Sequence, residues 1–414
     1  MSKKIPITLL CGYLGAGKTT LLNRVLTNQK GYKVAVIVND IGEVNVDERL
    51  ISKEAQITDS SSLVPLTNGC ICCTLKSDMV NQIESLMKTG KFDYIMIEAS
   101  GVCEPMPIAQ AIEQIEIGEL DNVVGVVDAS RLVEEFDEGN ALLKKNIGEE
   151  DIESLLIQQI EFCSTLIINK RDLVTDEQMN KVRSVINKLQ PSVKVIETTK
   201  CDVPVEEIMG TSRFDFETVY ASAGWVKVLE EHDADEDDDD DDHDHDGEHH
   251  DHDHEEHEHH DHDHHHHEEH EHHDHDGHGH HHHEHKHEGE SEDEYGIGSF
   301  VYYRRKPFDR IKLDEYASKW PRNIIRSKGV VWFSDEDDMA YVLETSGRQI
   351  QAGYSGNWLA SCPPAEQKRV LAEEPKMQKD WDPEVGDRMI KMVIIGQHLD
   401  RAQIEKELDA CLAE

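Results

Sequence analysis

The chain opens on a short apolar run, residues 5–10, that ends at Cys11-Gly12. An apolar run of this length bounded by glycine predicts a buried strand, and the stretch that follows it, residues 19–26, is helix-compatible. Residues 33–38, rich in valine, predict a second strand of the fully buried parallel kind. Further strands are predicted at 94–97, 123–127, 166–168 and 193–197, with helical patterns between them, for example at 78–87 and 175–189. Strands alternating with helices predict an α/β fold, a doubly wound and mostly parallel sheet.

Residues 214–229 form a connector with helical character, and beyond it the pattern vanishes. From 232 to 287 the chain is almost wholly Asp, Glu, His and Gly, with twenty-six of the twenty-seven histidines. So few apolar groups cannot offset the entropy of ordering, which predicts disorder. Patterning resumes near Gly298, with strands expected at 299–303, 329–333, 339–344, 349–354 and 389–395 and helices at 309–319 and 401–413. These predict a small α+β domain, a helix-backed antiparallel sheet. The expected organisation is therefore a nucleotide-binding domain over 1–212, a connector over 213–229, an acidic His-rich segment over 230–296 and a carboxy-terminal domain over 297–414.

Charge sharpens this division. The 414 residues suffice for two ordinary domains, and the net charge of −44 is unevenly placed. Residues 230–294 hold thirty-two acidic residues against one basic residue, Lys286, so about −31 of the total lies there and about −13 elsewhere. Such acidity argues against nucleic acid as a partner, because phosphate contacts need Lys and Arg. Neither a secretory signal nor a membrane span is visible. Nine cysteines, partly clustered, then favour reduced thiols and metal over disulfides, and the expected location is cytoplasmic.

Three motifs point to GTP. Gly12-Tyr13-Leu14-Gly15-Ala16-Gly17-Lys18-Thr19 fits G-x-x-x-x-G-K-[ST], between a predicted strand and a predicted helix. In that loop the backbone N–H groups of Gly12, Gly15, Ala16 and Gly17 face phosphate. Lys18 reaches the β/γ oxygens, Thr19 can hold Mg²⁺, and Thr20 continues the turn. Glu98-Ala99-Ser100-Gly101 follows a predicted strand and offers a carboxylate and a glycine near the metal and γ-phosphate. Asn169-Lys170-Arg171-Asp172 fits N-K-x-D, in which Asp172 accepts from the two guanine N–H groups that adenine lacks. Asn169 would brace the loop and the stem of Lys170 would cover the base. Alone, N-K-x-D is as well a plain surface turn; after a strand and in register with a P-loop it is a base reader. The expected chemistry is phosphoryl transfer to water, with Lys18, Thr19 and Glu98 as the catalytic set. No water-positioning glutamine or cis arginine finger can be named, so slow intrinsic turnover is expected.

A second chemistry lies in Asn68-Gly69-Cys70-Ile71-Cys72-Cys73. Three thiols within four residues form a soft ligand set for zinc or a related transition metal, and three protein ligands leave a position open for exchange. The plain alternative is buried small hydrophobes, which the flanking glycine and polar residues disfavour. Residues 39–47, Asn-Asp-Ile-Gly-Glu-Val-Asn-Val-Asp, are a candidate switch. There Glu43 could join the three cysteines around the metal or sit near Mg²⁺. The other six cysteines are scattered and read as ordinary buried thiols. The histidine tract reads as a capture arm of graded affinity for Zn²⁺, Co²⁺ or Ni²⁺, losing metal on mild acidification, or as a solvated linker.

Together these residues resemble the CobW-type family of P-loop GTPases. The likeness rests on the loop at 12–20, Gly42-Glu43-Val44, the Cys70-Ile71-Cys72-Cys73 run, Glu98-Ala99-Ser100-Gly101 and Asn169-Lys170-Arg171-Asp172. The internal His-rich segment and Arg304-Arg305-Lys306-Pro307-Phe308 extend it into the carboxy-terminal part. The resemblance implies a metallochaperone that holds zinc or a similar metal at Cys70, Cys72 and Cys73, changes the access to that site with GTP, and passes the ion to a client metalloprotein. It implies Lys18, Thr19, Asn169 and Asp172 as nucleotide residues. One departure is Val38, where some members carry an acidic residue, so a metal site using that side chain is in doubt. Rivals are a GTPase dedicated to inserting cobalt, nickel or iron into one enzyme, a His-rich metal buffer with a regulatory GTPase domain, and a redox switch at the adjacent thiols. Monomer and homodimer are both compatible with the sequence.

Overall fold

The computed structural model describes residues 4–28, 31–38, 63–65, 76–101, 103–137, 152–239, 293–347 and 349–414. The chain builds two sheets. The first contains β1 (Ile5–Cys11), β2 (Val34–Val38), β3 (Leu63–Pro65), β4 (Tyr94–Glu98), β5 (Gly118–Asp128), β6 (Thr165–Asn169) and β7 (Lys194–Glu197), in the order β3-β2-β4-β1-β5-β6-β7. Every pairing in it is parallel. Its helices are α1 (Lys18–Thr27), α2 (Lys76–Lys88), α3 (Pro105–Glu113), α4 (Ala129–Glu135), α5 (Ile152–Glu161) and α6 (Asp176–Leu189).

The central strands are buried on both faces, as β4 shows along its whole length. That is why they read as continuous Ile, Val and Leu runs without alternation. Helix α6 starts where Thr175 and Gln178 form a reciprocal capping box, which satisfies two of the free N–H groups of its first turn. The doubly wound parallel sheet expected from the sequence is present. Strand β3, only three residues long, was not anticipated.

The connector is helical, α7 (Phe216–Ala221) and α8 (Gly224–Asp239). Helix α8 runs to Asp239, whereas disorder was expected from His232 onward. Its first turns explain the extension. Trp225, Val228 and Leu229 pack against Val301, Val393 and Ile395 of the second sheet, and Asp233 is ion-paired with Lys391. The apolar anchor nucleates the helix, and propagation into the acidic run then adds a hydrogen bond per residue fixed.

The second sheet is antiparallel, with β8 (Ile297–Arg304), β9 (Ile324–Trp332), β10 (Met339–Ser346), β11 (Gln349–Asn357) and β12 (Ile390–Gln397) in the order β11-β10-β9-β12-β8. Helices α9 (Arg310–Ala317) and α12 (Arg401–Asp409) back it, with Leu313, Ile404 and Leu408 in a shared core with Tyr302, Phe308 and Met392. Two helices not anticipated from the sequence, α10 (Pro364–Glu373) and α11 (Pro375–Lys379), lie between β11 and β12.

Polar contacts join the two sheets. Arg326 Nε on β9 donates to Glu161 Oε1 on α5 at 2.9 Å, and its Nη2 lies 3.2 Å from Glu344 Oε2 on β10. Gln397 Nε2 donates to the Phe136 carbonyl at 2.9 Å. A cavity of about 190 Å³ lies at this contact, lined by Glu104, Met106, Gln158, Trp225 and Lys328 among others.

Candidate functional site

All seven strands of the parallel sheet have their carboxyl ends at one edge, and the predicted nucleotide residues lie at or after the ends of three of them, β1, β4 and β6. Strand β1 is central, between β4 and β5, and its last residue leads into the glycine loop. Gly12, Gly15 and Gly17 have φ of 146°, 76° and 120°, in the left-handed range that side chains rarely adopt. A Cβ on Gly12 would collide with the Val126 carbonyl oxygen, and one on Gly17 with the Asn169 amide and the Cys201 thiol. The loop is therefore built of bare backbone against its neighbours, the form that lets N–H groups approach a phosphate closely. Helix α1 starts at Lys18 with Gly17 as its N-cap and no side-chain cap, so its first N–H groups face the same space. Lys18 is 8% exposed and folds back over the loop, donating to the Gly12 carbonyl at 2.7 Å. Thr19 is half-buried and Thr20 exposed in the first turn of α1.

Strand β4 brings the acidic motif to the loop. Glu98 is in register with Leu10, and Ala99 N donates to the Leu10 carbonyl at 2.8 Å. Gly101 packs directly under Leu14 of the loop tip, leaving no room for a Cβ. Glu98 is 4% exposed, so its carboxylate belongs to the floor of the site and not to the solvent rim.

The N-K-x-D motif is tied to the loop by a buried side chain. Asn169, 3% exposed, donates from Nδ2 to the Ala16 carbonyl at 2.8 Å and accepts from Cys201 N at 2.9 Å on Oδ1. Lys170 has φ 58° and reaches Asp128 Oδ2 at 2.6 Å. Burial tends to raise the Asp128 carboxyl, but hydrogen bonds from Lys170 and Ser130 outweigh it and hold that carboxyl below its usual range. The pair fixes the Lys170 stem at the end of β5. Asp172 is exposed in a 3-10 turn, Arg171–Leu173. Arg171 steadies that turn through Glu197 at 3.2 Å and the Val174 carbonyl at 2.8 Å.

The structure adds a further loop, residues 198–202 after β7. Lys200 and Cys201 both have positive φ, 56° and 51°, and the Cys201 thiol lies 3.4 Å from the Gly17 carbonyl. Burial pushes that thiol up to about 11, so it is a neutral packing group against the phosphate loop. Read as one of six scattered cysteines, it gave no sign of this place. The available signal was position: its loop leaves the carboxyl end of a parallel strand, where sites of such sheets form.

Glu43, Cys70, Cys72, Cys73 and the whole 39–47 stretch lie outside the described residues, as does the histidine tract from 240 to 292. The strands that lead towards them end beside the nucleotide site, with Val38 of β2 in register with Glu98 and with Pro65 of β3. Among the described residues no group of three His, Cys, Asp or Glu side chains could hold a metal ion, and no helix is long and apolar enough to cross a membrane.

The sequence profile described as CobW/HypB/UreG, nucleotide-binding domain, matches residues 6–197, and that of the cobalamin synthesis protein cobW C-terminal domain matches residues 297–412. The chain belongs to the CobW family. This CobW-family chain is 31% identical over 436 aligned residues to zinc-regulated GTPase metalloprotein activator 1 of Dictyostelium discoideum, covering 99% of the chain and 80% of that relative. It is 32% identical over 225 residues to the zinc chaperone CobW of Pseudomonas aeruginosa, covering 50% of the chain and 60% of that protein. Among solved structures it is similar to the Zn(II)-bound YjiA GTPase from E. coli, at 18% identity and a TM-score of 0.39, with 99% of each chain covered.

Proposed function

We propose that this CobW-family chain is a GTP-hydrolysing metallochaperone that carries zinc and delivers it to a client metalloprotein. The observation that carries the nucleotide half is Asn169, which joins the phosphate loop, the N-K-x-D turn and the 198–202 loop into one unit. The backbone of residues 12–17 and the first turn of α1 bind the phosphates, and Lys18 exchanges the Gly12 carbonyl for phosphate oxygens. Asp172 selects guanine, while Lys170, held by Asp128, covers the base. Mg²⁺, when bound, would supply charge neutralisation on the phosphate oxygens, and Thr19 and Glu98 are the side chains that would hold it. The place of Glu98 at the end of β4, in register with Leu10 beside the glycine loop, fits such a role.

The metal half rests on sequence and on the relatives. Cys70, Cys72 and Cys73 hold the zinc ion as cargo, with Glu43 as a further ligand. The segment 230–296 acts as a capture arm between a GTPase unit over 1–212, with its connector over 213–229, and a carboxy-terminal unit over 297–414. GTP and GDP forms must differ in their affinity for zinc or for the client, because a ligand shifts an equilibrium only through differential binding. Helix α3 begins four residues after Gly101 and reaches the cavity against the second sheet, which offers a path for a change at Glu98–Gly101. The protein works in the cytoplasm.

The test is Zn²⁺ affinity under anaerobic conditions, by chelator competition, with GDP and with a non-hydrolysable GTP analogue. It uses the full chain and a variant lacking 240–287, a deletion that spares α8. A tenfold difference between nucleotides in both proteins, about 1.4 kcal/mol of coupling, is expected. Loss of every tight site in the deletion variant would replace the chaperone with a metal buffer. A preference for Co²⁺ or Ni²⁺ at equal free concentration would instead mark an insertion factor.

A further inference from the structure

Loop 198–202 is held in a conformation that its own residues do not favour. Lys200 and Cys201 follow one another at φ 56° and 51°, and neither is glycine, so the loop keeps this shape only where its surroundings impose it. Part of the hold comes from the base side of the site. Cys201 N donates to Asn169 Oδ1 at 2.9 Å, and Arg171 N donates to the Thr198 carbonyl at 3.1 Å. A further hold comes from α1. Arg24 stands on that helix about 9 Å along the axis from Lys18, at 1.5 Å per residue. Its Nε donates to the Lys200 carbonyl at 3.1 Å and its Nη1 to Asp202 Oδ1 at 2.7 Å, so one guanidinium grips the loop on either side of Cys201.

We propose, on the guanine-nucleotide reading above, that Arg24 is a positioning residue that sets the rate of nucleotide release by holding loop 198–202 against the N-K-x-D turn. The ion pair with Asp202 is not what matters. Its partners are 40% and 78% exposed, and such pairs contribute little. The bond to the Lys200 carbonyl carries the effect, because it ties strained backbone to the helix that begins at the phosphate loop, with a charged donor. Without it Cys201 N can leave Asn169 and the Thr198 carbonyl can leave Arg171, the neighbour of Asp172 in the base turn. Arginine suits the place, since its planar fork reaches the carbonyl and the carboxylate together, whereas a lysine ammonium is a single point charge. Residues 12–19 and Glu98 serve the phosphate end, so Arg24 acts on GDP and GTP alike and leaves the hydrolysis of bound GTP unchanged.

The test is release of methylanthraniloyl-GDP from the full chain in Mg²⁺, chased with unlabelled GDP in a stopped-flow mixer. Arg24→Ala should release it about tenfold faster, and the affinities for GDP and for a non-hydrolysable GTP analogue should weaken by one common factor. Arg24→Lys should fall between the parent and Arg24→Ala, at about threefold. Asp202→Asn keeps the bond to Lys200 and should stay within about twofold of the parent. Single-turnover hydrolysis of prebound GTP should be unaltered in Arg24→Ala, and thermal melts check that each variant folds. Release within about twofold of the parent in Arg24→Ala, an equal effect in Asp202→Asn, or a matching fall in single-turnover hydrolysis overturns the proposal. A parent chain that holds no guanine nucleotide would overturn the nucleotide reading with it, whereas variants indistinguishable from a binding parent overturn the role of Arg24 and leave that reading intact.

Discussion

The two sheets of this protein carry information in different places. In the parallel sheet, every strand that reaches the site points its carboxyl end the same way. Short motifs following β1, β4 and β6 therefore arrive together, and Asn169 can hold Ala16 and Cys201 at once. In the antiparallel sheet, neighbouring strands run in opposite senses, so motifs at strand ends are dispersed. What matters there lies in side chains that cross to the other sheet. The difference teaches where to look: at strand ends in the first unit, at buried ion pairs in the second.

The contact between the two is the most sensitive place to break this comparison. Arg326 is 4% exposed and binds Glu161, 11% exposed, from the other sheet. Arg326→Ala would remove the hydrogen-bonded cation from Glu161, whose carboxyl burial already pushes up, with Lys328 left nearby, a loss of about 3–5 kcal/mol. Chemical denaturation should show that loss, whereas the double change Arg326→Met with Glu161→Met should recover most of it. If the single change costs under about 1 kcal/mol, water reaches the pair and the two sheets are coupled by something else.

Next in size is a change confined to the parallel sheet. Lys18→Ala removes the one cation folded into the phosphate loop, and hydrolysis should fall by about 10²–10³, equivalent to about 2.7–4 kcal/mol of transition-state stabilisation. Steady-state GTPase rates at saturating GTP measure it. A fall below about tenfold would show that the glycine backbone and α1 supply most of the stabilisation without Lys18.

What the sequence disclosed follows the same division. The loop at 12–19, Glu98–Gly101 and Asn169–Asp172 were legible because each is a contiguous motif whose backbone demands particular residues, above all glycine at positive φ. Val38 and the parallel strands were legible as unbroken apolar runs. The role of Cys201 was not, because it arises from contact with Gly17, 184 positions earlier. The Arg326–Glu161 pair, 165 positions apart, was invisible for the same reason. Helices α10 and α11 begin with Pro364 and Pro375, and proline suits the first helical turn but carries no apolar periodicity of its own to announce a helix. Helix α8 outran its apolar anchor, so composition alone placed its end too early.

Asn169 sharpens the account of how the site is held. Asn169→Ala leaves the Ala16 carbonyl and the Cys201 N–H without their partner, and two orphaned groups in a buried place should cost about 2–3 kcal/mol of stability. GTP affinity should fall with it, because the phosphate loop and the base turn lose their common tie. Isothermal titration with a GTP analogue, alongside thermal melts, separates the two effects. Lost stability with unchanged affinity would mean that the loops keep their geometry through the sheet alone.

The smallest effect lies in the support of Asp172. Glu197 at the end of β7 accepts from Arg183 Nε at 2.6 Å and from Arg171 Nε at 3.2 Å, and the hydrogen bond from Arg183 chiefly holds its carboxyl below the usual range. A depressed carboxyl contributes stability above its unfolded value and loses it as pH falls through the folded one. The contribution is therefore present at neutral pH and fades on the acid side of about 4.5. Arg183 is 44% exposed, so solvent screening keeps the contribution under about 1 kcal/mol. Glu197→Gln should flatten that acid limb and loosen the Arg171 turn, raising the KM for GTP at neutral pH by about two- to threefold with kcat unchanged. An unaltered acid limb with a raised KM would separate the two roles, making Glu197 a positioning residue for Asp172 whose charge contributes nothing to the fold.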